Sequence, residues 1–428
     1  MYEQERTHLA RLLNAAISAA QPAVVLPAHL PQPVAGGRIV IAGAGKAAAG
    51  MALAAERHYV SLAAEARLVG EVATRHGYGA PTRFIKVTMA GHPVPDAGSE
   101  RAARRALALV AAARPADTIV VLLSGGASAI WSAPAEGLTL ADKQAVTQAL
   151  LKSGARIHDV NCVRKHLSRI KGGRLAAAAR GKRLITLAIS DVPGDDPDVI
   201  GSGPTVPDRT SLADARAIIA RLGAVIPASA IAALADPRNE TIKPGDPALA
   251  SSSYRTIAAP SLSLAAAKAE AERLGYAVKM LGDAVEGEAR DVARAHAKMA
   301  LDAAIKPGTR LALLSGGELT VTVRGSGTGG PNQEYALALA IALNGAPGIC
   351  AIAADTDGTD GGRGAADDPA GALVLPDTLA RARRLSLVAH ACLENNDSTG
   401  FFRSLGDLVS TGPTQTNVND FRAILIDR

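Results

Sequence analysis

Two hydrophobic spacings alternate along this chain, and their alternation predicts the fold. Leu9, Leu12, Leu13 and Ile17 recur at helical spacing, which predicts a helix over residues 3–20. A short apolar run within Arg38–Ala42 then ends in Gly43-Ala-Gly-Lys46 and passes into an alanine-rich stretch: strand, glycine turn, helix. The unit returns at Thr118–Leu123 into Ser124-Gly125-Gly126, and at Leu184–Ile189 into Ser190-Asp191. Strands alternating with helices in this rhythm predict parallel crossovers and a Rossmann-like, doubly wound α/β sheet.

The pattern breaks between Asp236 and Ser253, where three prolines and a serine triplet replace apolar residues. This stretch is the expected domain boundary, dividing the chain into 1–240 and 250–428, with the possibility that the extreme carboxy-terminus packs back on the first domain. Beyond it, helices are expected near 262–274 and 286–304. A strand over Arg310–Leu314 leads into Ser315-Gly-Gly-Glu318, a second strand follows over Leu319–Val323, and Tyr335–Leu343 reads as a helix.

Composition narrows the function classes. The chain has 428 residues, too many for one ordinary core. Only four Phe, six Tyr and one Trp are present, so the core is built of small aliphatic side chains and few platforms exist for stacking nucleic-acid bases. The formal charge of +6 is scattered over helical patterns such as Arg101-Arg104-Arg105 and Arg381-Arg383-Arg384, which favours anionic small molecules over a polyanion. Cys162, Cys350 and Cys392 lack paired spacing, so neither a disulfide framework nor a structural zinc is expected. The amino terminus is acidic, and Asn14, Pro22 and Pro27 interrupt the apolar stretch after it. A cytoplasmic protein without a membrane partner is the expectation, with a homodimer left open.

The chemistry concentrates in glycine turns at strand ends. Gly43-Ala-Gly45-Lys-Ala-Ala48 fits the G-x-G-x-x-A dinucleotide fingerprint, in which glycines let backbone amides approach phosphate. The fingerprint also wants an acid at the end of the next strand, yet Arg67–Thr74 ends in Arg75-His76, with Glu71 inside the run. Lys46 adds a cation suited to a phosphate or carboxylate. Ser124-Gly125-Gly126-Ala-Ser128 and Ser315-Gly316-Gly317-Glu318 combine flexible backbone with hydroxyl donors; Leu-Leu-Ser-Gly-Gly is spelled identically in both halves. Gly325-Ser-Gly-Thr-Gly-Gly-Pro331 opens directly onto Asn332, Gln333 and Glu334, placed to cap a helix or meet a ligand.

Two acid clusters follow apolar strands: Asp191 with Asp195 and Asp196, and Asp357 with Asp360 after Ile349–Ala354. One of them is expected to bind Mg2+, which takes oxygen ligands and bridges phosphates; turn-forming aspartates are the competing reading. The basic segment containing Arg164, Lys165, Lys171 and Arg174 suits phosphate or carboxylate, or is an exposed helix face. His92 lies between stiffening residues in Gly91-His-Pro-Val-Pro-Asp96.

Taken together, these segments resemble the glycerate 2-kinase family with a MOFRL domain, whose members are often labelled hydroxypyruvate reductases. The resemblance runs through Val163-Arg-Lys-His-Leu-Ser-Arg-Ile-Lys-Gly-Gly173, Ser202-Gly-Pro-Thr205, Gly329-Gly-Pro-Asn-Gln-Glu334 and Thr411-Gly-Pro-Thr-Gln-Thr416-Asn417-Val-Asn-Asp420, besides the turns above. It implies a smaller α/β second domain, an active site in the cleft between the domains, and ATP-dependent phosphorylation of D-glycerate at its 2-hydroxyl. On that implication Lys46, Asp191 and Arg324 are the catalytic candidates. The glycine turns, His92, Thr416 and Asn417 join the substrate and phosphate contacts. NAD(P)H-dependent reduction of hydroxypyruvate is the alternative. The chain departs from the family pattern at Pro331, where many relatives carry arginine, and at Ala127, where many carry glycine.

Overall fold

Residues 2–308, 310–362 and 364–428 are described by the computed structural model, and the chain falls into two compact units, Pro22–Ile257 and Met1–Gln21 with Ala258–Arg428.

The first unit is built on six strands: β1 (Ile39–Ala44), β2 (Leu68–Arg75), β3 (Ile85–Ala90), β4 (Thr118–Ser124), β5 (Leu184–Ile189) and β6 (Ser252–Ala258), in the order β3-β2-β1-β4-β5-β6. β1 pairs in parallel with β2 and β4, β2 with β3, and β4 with β5. The order runs outward from β1 in one direction and then, starting at β4, in the other. A topological switch point therefore lies between β1 and β4, as expected of a Rossmann-like sheet. Every position of β1 and β4 is buried, because layers cover both faces, and this is why they read as unbroken apolar runs. The sheet is tight enough that a Cβ on Gly43 would stand 2.7 Å from the Leu122 carbonyl oxygen and 2.9 Å from Val72. Helices Leu140–Lys152, Ile157–His166, Leu212–Leu222 and Ala228–Ala235 form a separate cluster around Val146, Leu150, Val163 and Ala215.

The second unit has strands β7 (Ala277–Gly282), β8 (Gly287–Glu288), β9 (Arg310–Ser315), β10 (Leu319–Thr320), β11 (Ile349–Asp355), β12 (Gly371–Val374), β13 (Leu408–Val409) and β14 (Asp420–Asp427). β8 and β10 form a two-stranded pair; the others form one sheet in the order β13-β12-β11-β14-β9-β7. Among the described residues of this six-stranded sheet only β7 and β9 pair in parallel, and the remaining neighbours are antiparallel. Alternate residues of β11 and β14 serve two cores. Ala351, Ala353, Ile424 and Ile426 pack with helices Ala289–Ala304 and Pro331–Leu343, while Cys350, Ile352 and Leu425 pack with helices Glu3–Ala19 and Pro260–Arg273.

Three features differ from the expected division at 1–240 and 250–428. The amino-terminal helix belongs to the second unit, since its stripe Leu9, Leu12, Leu13 and Ile17 packs with Leu264 and Ala267. β6 continues the first sheet, so the division falls after Ile257. The carboxy-terminal strand β14 belongs to the second unit's own sheet, between β11 and β9. The strand expected over 319–323 is reduced to Leu319–Thr320.

Candidate active site

The switch point gathers the first unit's turns. Gly43–Lys46 leaves β1, Ser124–Ser128 leaves β4, and Asp191 follows two residues after Ile189, which registers with Ser124 across the β4–β5 pair. Strand carboxyl ends at a switch point are where open α/β sheets bind ligands.

The first turn does not use its amides as the fingerprint requires. Gly45 N–H donates to the Ala73 carbonyl at 3.2 Å, Lys46 N–H to that of Gly125 at 2.8 Å, and Ala47 N–H to Ser124 Oγ at 2.9 Å. Those bonds clamp the turn against β2 and β4, and only glycine fits at position 45, at φ 137°, since a Cβ there would stand 2.1 Å from Ser124 Oγ. At the end of β2, where a dinucleotide fold places its ribose carboxylate, stands Arg75, buried over the Tyr78 ring. What the turn offers a ligand is the half-buried Lys46 side chain.

Lys46 meets the second turn and His92. A Cβ on Gly126 (φ 81°) would lie 2.9 Å from His92 Cδ2 and 3.3 Å from Lys46 Cγ. A cavity of about 400 Å³ opens there, with His92, Gly126, Ser128, Lys143, Arg164 and Lys171 in its wall and no Asp or Glu among the described residues that line it. Lys171 is buried and donates from Nζ to the Ser128 carbonyl at 2.8 Å and to Ser128 Oγ at 3.3 Å. Ser128 Oγ in turn bonds Ser202 Oγ. Burial, with the charges of Lys143, Arg164 and Lys165 added, holds the Lys171 ammonium well below its usual pKa. Arg164 donates to Thr147 Oγ1 at 3.4 Å, and burial lowers its pKa too.

Lys165, expected beside these cations, is turned elsewhere. Its buried ammonium pairs with Asp198 and, at 3.4 Å, with Asp208. Sequence reasoning missed Lys143. The signal was available: Lys143 is in helical register with Val146 and Leu150, the other buried positions of its helix.

In the second unit the expected contacts mostly serve the fold. Arg422 on β14 donates to Ser315 Oγ at 3.3 Å, to the Gly316 carbonyl, and to the Gly317 carbonyl at 3.1 Å, while pairing with Asp420 at 3.0 Å. Glu318 is exposed. Asn332, Gln333 and Glu334 are buried at the start of helix Pro331–Leu343. Asp360 accepts from Asn332 N–H at 2.9 Å and Gln333 N–H at 2.8 Å, and from both side-chain amides. Glu334 pairs with Arg290 at 2.7 Å. Pro331 occupies the first helical position, where a missing N–H costs nothing. Arg324 has an exposed side chain, and its backbone N–H donates to Asn396 Oδ1 at 2.7 Å. Thr416 donates to the Ala20 carbonyl at 2.7 Å, and Asn417 Oδ1 accepts from Asn419 N–H at 3.4 Å.

The acid clusters can be weighed as metal ligands on their bonds. Both Asp360 oxygens are engaged by helix amides, and Asp357 Oδ1 accepts from Thr359 N–H at 2.8 Å, closing its own turn. Asp191 and Asp195 are half-buried, and Asp196 is exposed. Among the described residues no group of three or more His, Cys, Asp or Glu converges on a metal-sized site. Mg2+ takes one or two carboxylates with phosphate and water completing the shell, and the Asp360 oxygens, engaged by helix amides, are the less available to it.

Comparison with known proteins bears on the whole chain. Residues 8–235 match the family model described as a domain of unknown function, DUF4147, and residues 311–420 that of the MOFRL family. The chain is 49% identical over 426 residues to a protein of Agrobacterium vitis provisionally named a hydroxypyruvate reductase, covering 98% of this chain and 94% of that one. It is 38% identical over 387 residues to the D-glycerate 2-kinase of Thermotoga maritima, covering 90% and 89%. The crystal structure of glycerate kinase from Thermotoga maritima is similar with a TM-score of 0.85 at 35% identity, covering 99% of this chain and 100% of that one. With both family domains in order and identity sustained along the sequence, the chain belongs to the glycerate 2-kinase family with a MOFRL domain.

Proposed function

We propose that this protein transfers a phosphoryl group from ATP to the 2-hydroxyl of D-glycerate, giving 2-phosphoglycerate and ADP. The observation that carries the reading is sustained similarity to a D-glycerate 2-kinase, and the cation-lined cavity at the switch point supports it by offering an anionic acceptor a place. Phosphoryl transfer asks a protein mainly for positioning and charge stabilisation. Lys46, at the crossing of the two turns, offsets charge on the transferring group. Asp191 at the β5 end, with Asp195 and Asp196 following, would hold Mg2+, whose charge would offset that of the phosphate oxygens. His92 and Ser128 border the acceptor.

The reductase reading finds little support at the same turn, where the amides are committed to two protein carbonyls and the Ser124 hydroxyl and Arg75 stands at the ribose position. Purified protein with ATP, Mg2+ and D-glycerate should yield 2-phosphoglycerate by phosphorus NMR. NADH oxidation by hydroxypyruvate at enzymatic rates, without ATP-dependent product, would overturn the kinase reading; 3-phosphoglycerate would overturn its regiochemistry.

A further inference from the structure

Lys143 is the least explained charge in the first unit. It is 7% exposed, it lines the cavity, and its Nζ has no hydrogen-bond partner among the described residues. Its helix is held in place from both ends of the relevant turn. Thr139 and Asp142 form a reciprocal cap at the helix start, and Gln144 donates from its side chain to the Pro95 carbonyl at 2.7 Å. Lys143 therefore faces inward by construction, with Gln144, Thr147 and Gln148 on the same cavity wall.

An ammonium buried without a partner costs several kcal/mol unless it loses its proton or gains a counter-ion. Its neighbours make the cost larger: burial first, then the charges of Arg164 and Arg174, push Lys143 down to about 7, against a smaller opposing pull from Glu100. Among the described residues of the cavity wall no carboxylate relieves it. A site with several cations, no anion and one unpartnered ammonium is built for a negatively charged ligand that arrives from outside.

We propose that Lys143 is a binding residue of this cavity and holds the carboxylate of a small hydroxy acid, the phosphoryl acceptor. The anion site rests on the cavity alone, while naming the acceptor rests on the kinase reading. The chemistry of the wall favours a hydroxy-carboxylate over a polyphosphate. Lys171 is already tied to Ser128, which leaves Lys143 for a single charge, while Thr147, Gln148 and Ser132 offer hydroxyls and amides to a ligand's hydroxyl groups. Pro93, Val94 and Leu151 give the carbon skeleton an apolar side.

The test is direct binding without nucleotide, read by calorimetry or by Trp131, the only tryptophan in the chain, which is next to Ser132. D-glycerate should bind, and glycerol, neutral and of similar size, should not. Lys143→Met should weaken D-glycerate binding, and raise its KM, by about 10- to 100-fold, while the KM for ATP moves less than about threefold. Because it removes an unpartnered buried charge, the variant should also melt no lower than wild type; a lysine with a merely structural role would melt lower on replacement. Unchanged D-glycerate binding in Lys143→Met overturns the proposal. So does a loss confined to inorganic phosphate and ATP, which would assign the site to nucleotide phosphate. Binding of D-glycerate that depends on Lys143 in a protein that does not phosphorylate it would sink the kinase reading and leave the site standing.

Discussion

Leu122–Gly126 and Leu313–Gly317 spell the same five residues at the end of a strand, and the two turns have opposite surroundings. The first closes β4 in a parallel sheet. Its neighbours β1 and β5 end at the same edge, each leaving the sheet for its own loop, so none runs onward past Ser124 to fill the space. The second closes β9, whose antiparallel neighbour β14 begins where β9 ends; Arg422 registers with Ser315. The incoming strand thus delivers a guanidinium straight onto the serine and two glycine carbonyls. Strand direction decides whether a glycine turn borders open space or is filled by a side chain from the neighbouring strand. The first turn borders a cavity rich in cations, and the second is neutralised from within.

The largest effect that could break this contrast is on stability. Arg422→Met should leave Asp420 buried without its partner and the Gly317 carbonyl without its donor, at a cost of about 3–5 kcal/mol, read from urea unfolding. A loss below about 1 kcal/mol, the size of one ordinary hydrogen bond, would mean that Arg422 does not hold the second turn together. At the first turn the expected loss is functional. Lys46→Ala should lower kcat by about 10²–10³-fold while the melting temperature stays near that of wild type. Near-normal turnover would remove Lys46 from the chemistry.

How much of this was legible follows from the same geometry. Strands β1, β4 and β5 announce themselves because burial on both faces makes them continuous apolar runs. β14 does not, since its opening Asp-Phe-Arg places two charges where a central strand ought to be apolar; only the facing turn explains them. The stripe Leu9, Leu12, Leu13, Ile17 says that the first helix packs, but not that its partner comes from beyond residue 258. Gly43-Ala-Gly-Lys46 was legible as a turn. The commitment of its amides was not, because the acceptors Ala73, Gly125 and Ser124 are distant in sequence. Lys143 was hidden by its setting, a lysine among many on Ala- and Leu-rich helices, distinguished only by its register.

A paired glycine substitution sharpens the comparison at smaller scale. Gly317 has φ 91° and a Cβ there would stand 2.2 Å from Val285 N, a backbone atom, whereas a Cβ on Gly126 would press on the His92 ring, which can turn aside. Alanine is strained by about 1 kcal/mol at either positive φ; Gly317→Ala adds a clash with backbone and should therefore destabilise by more than Gly126→Ala, whose further cost lies in the KM for D-glycerate. Equal melting temperatures for the two variants would show that the turns are packed alike.

A pH dependence tests the second unit's buried carboxyl, Asp360 with its four donors. Burial pushes the Asp360 carboxyl up to about 7, with Asp420 adding to it and the Asn332 and Gln333 amides opposing. The folded chain then keeps a proton that the unfolded chain has lost between pH 4 and 7, so the stability it contributes is full below about pH 4, falls as pH rises from 4 to 7, and is lost above 7. His296, which burial holds neutral down to about 4, tilts stability the other way below pH 6.5. The informative quantity is therefore the difference between wild type and Asp360→Asn, which cannot ionise. From pH 5 to 7.5 wild type should lose melting temperature relative to the variant, at about 2–4 °C per kcal/mol for a unit of this size. No relative change over that range would mean that the four amide donors outweigh burial and that Asp360 caps its helix as a charged carboxylate, because such a carboxyl is ionised in both states by pH 5.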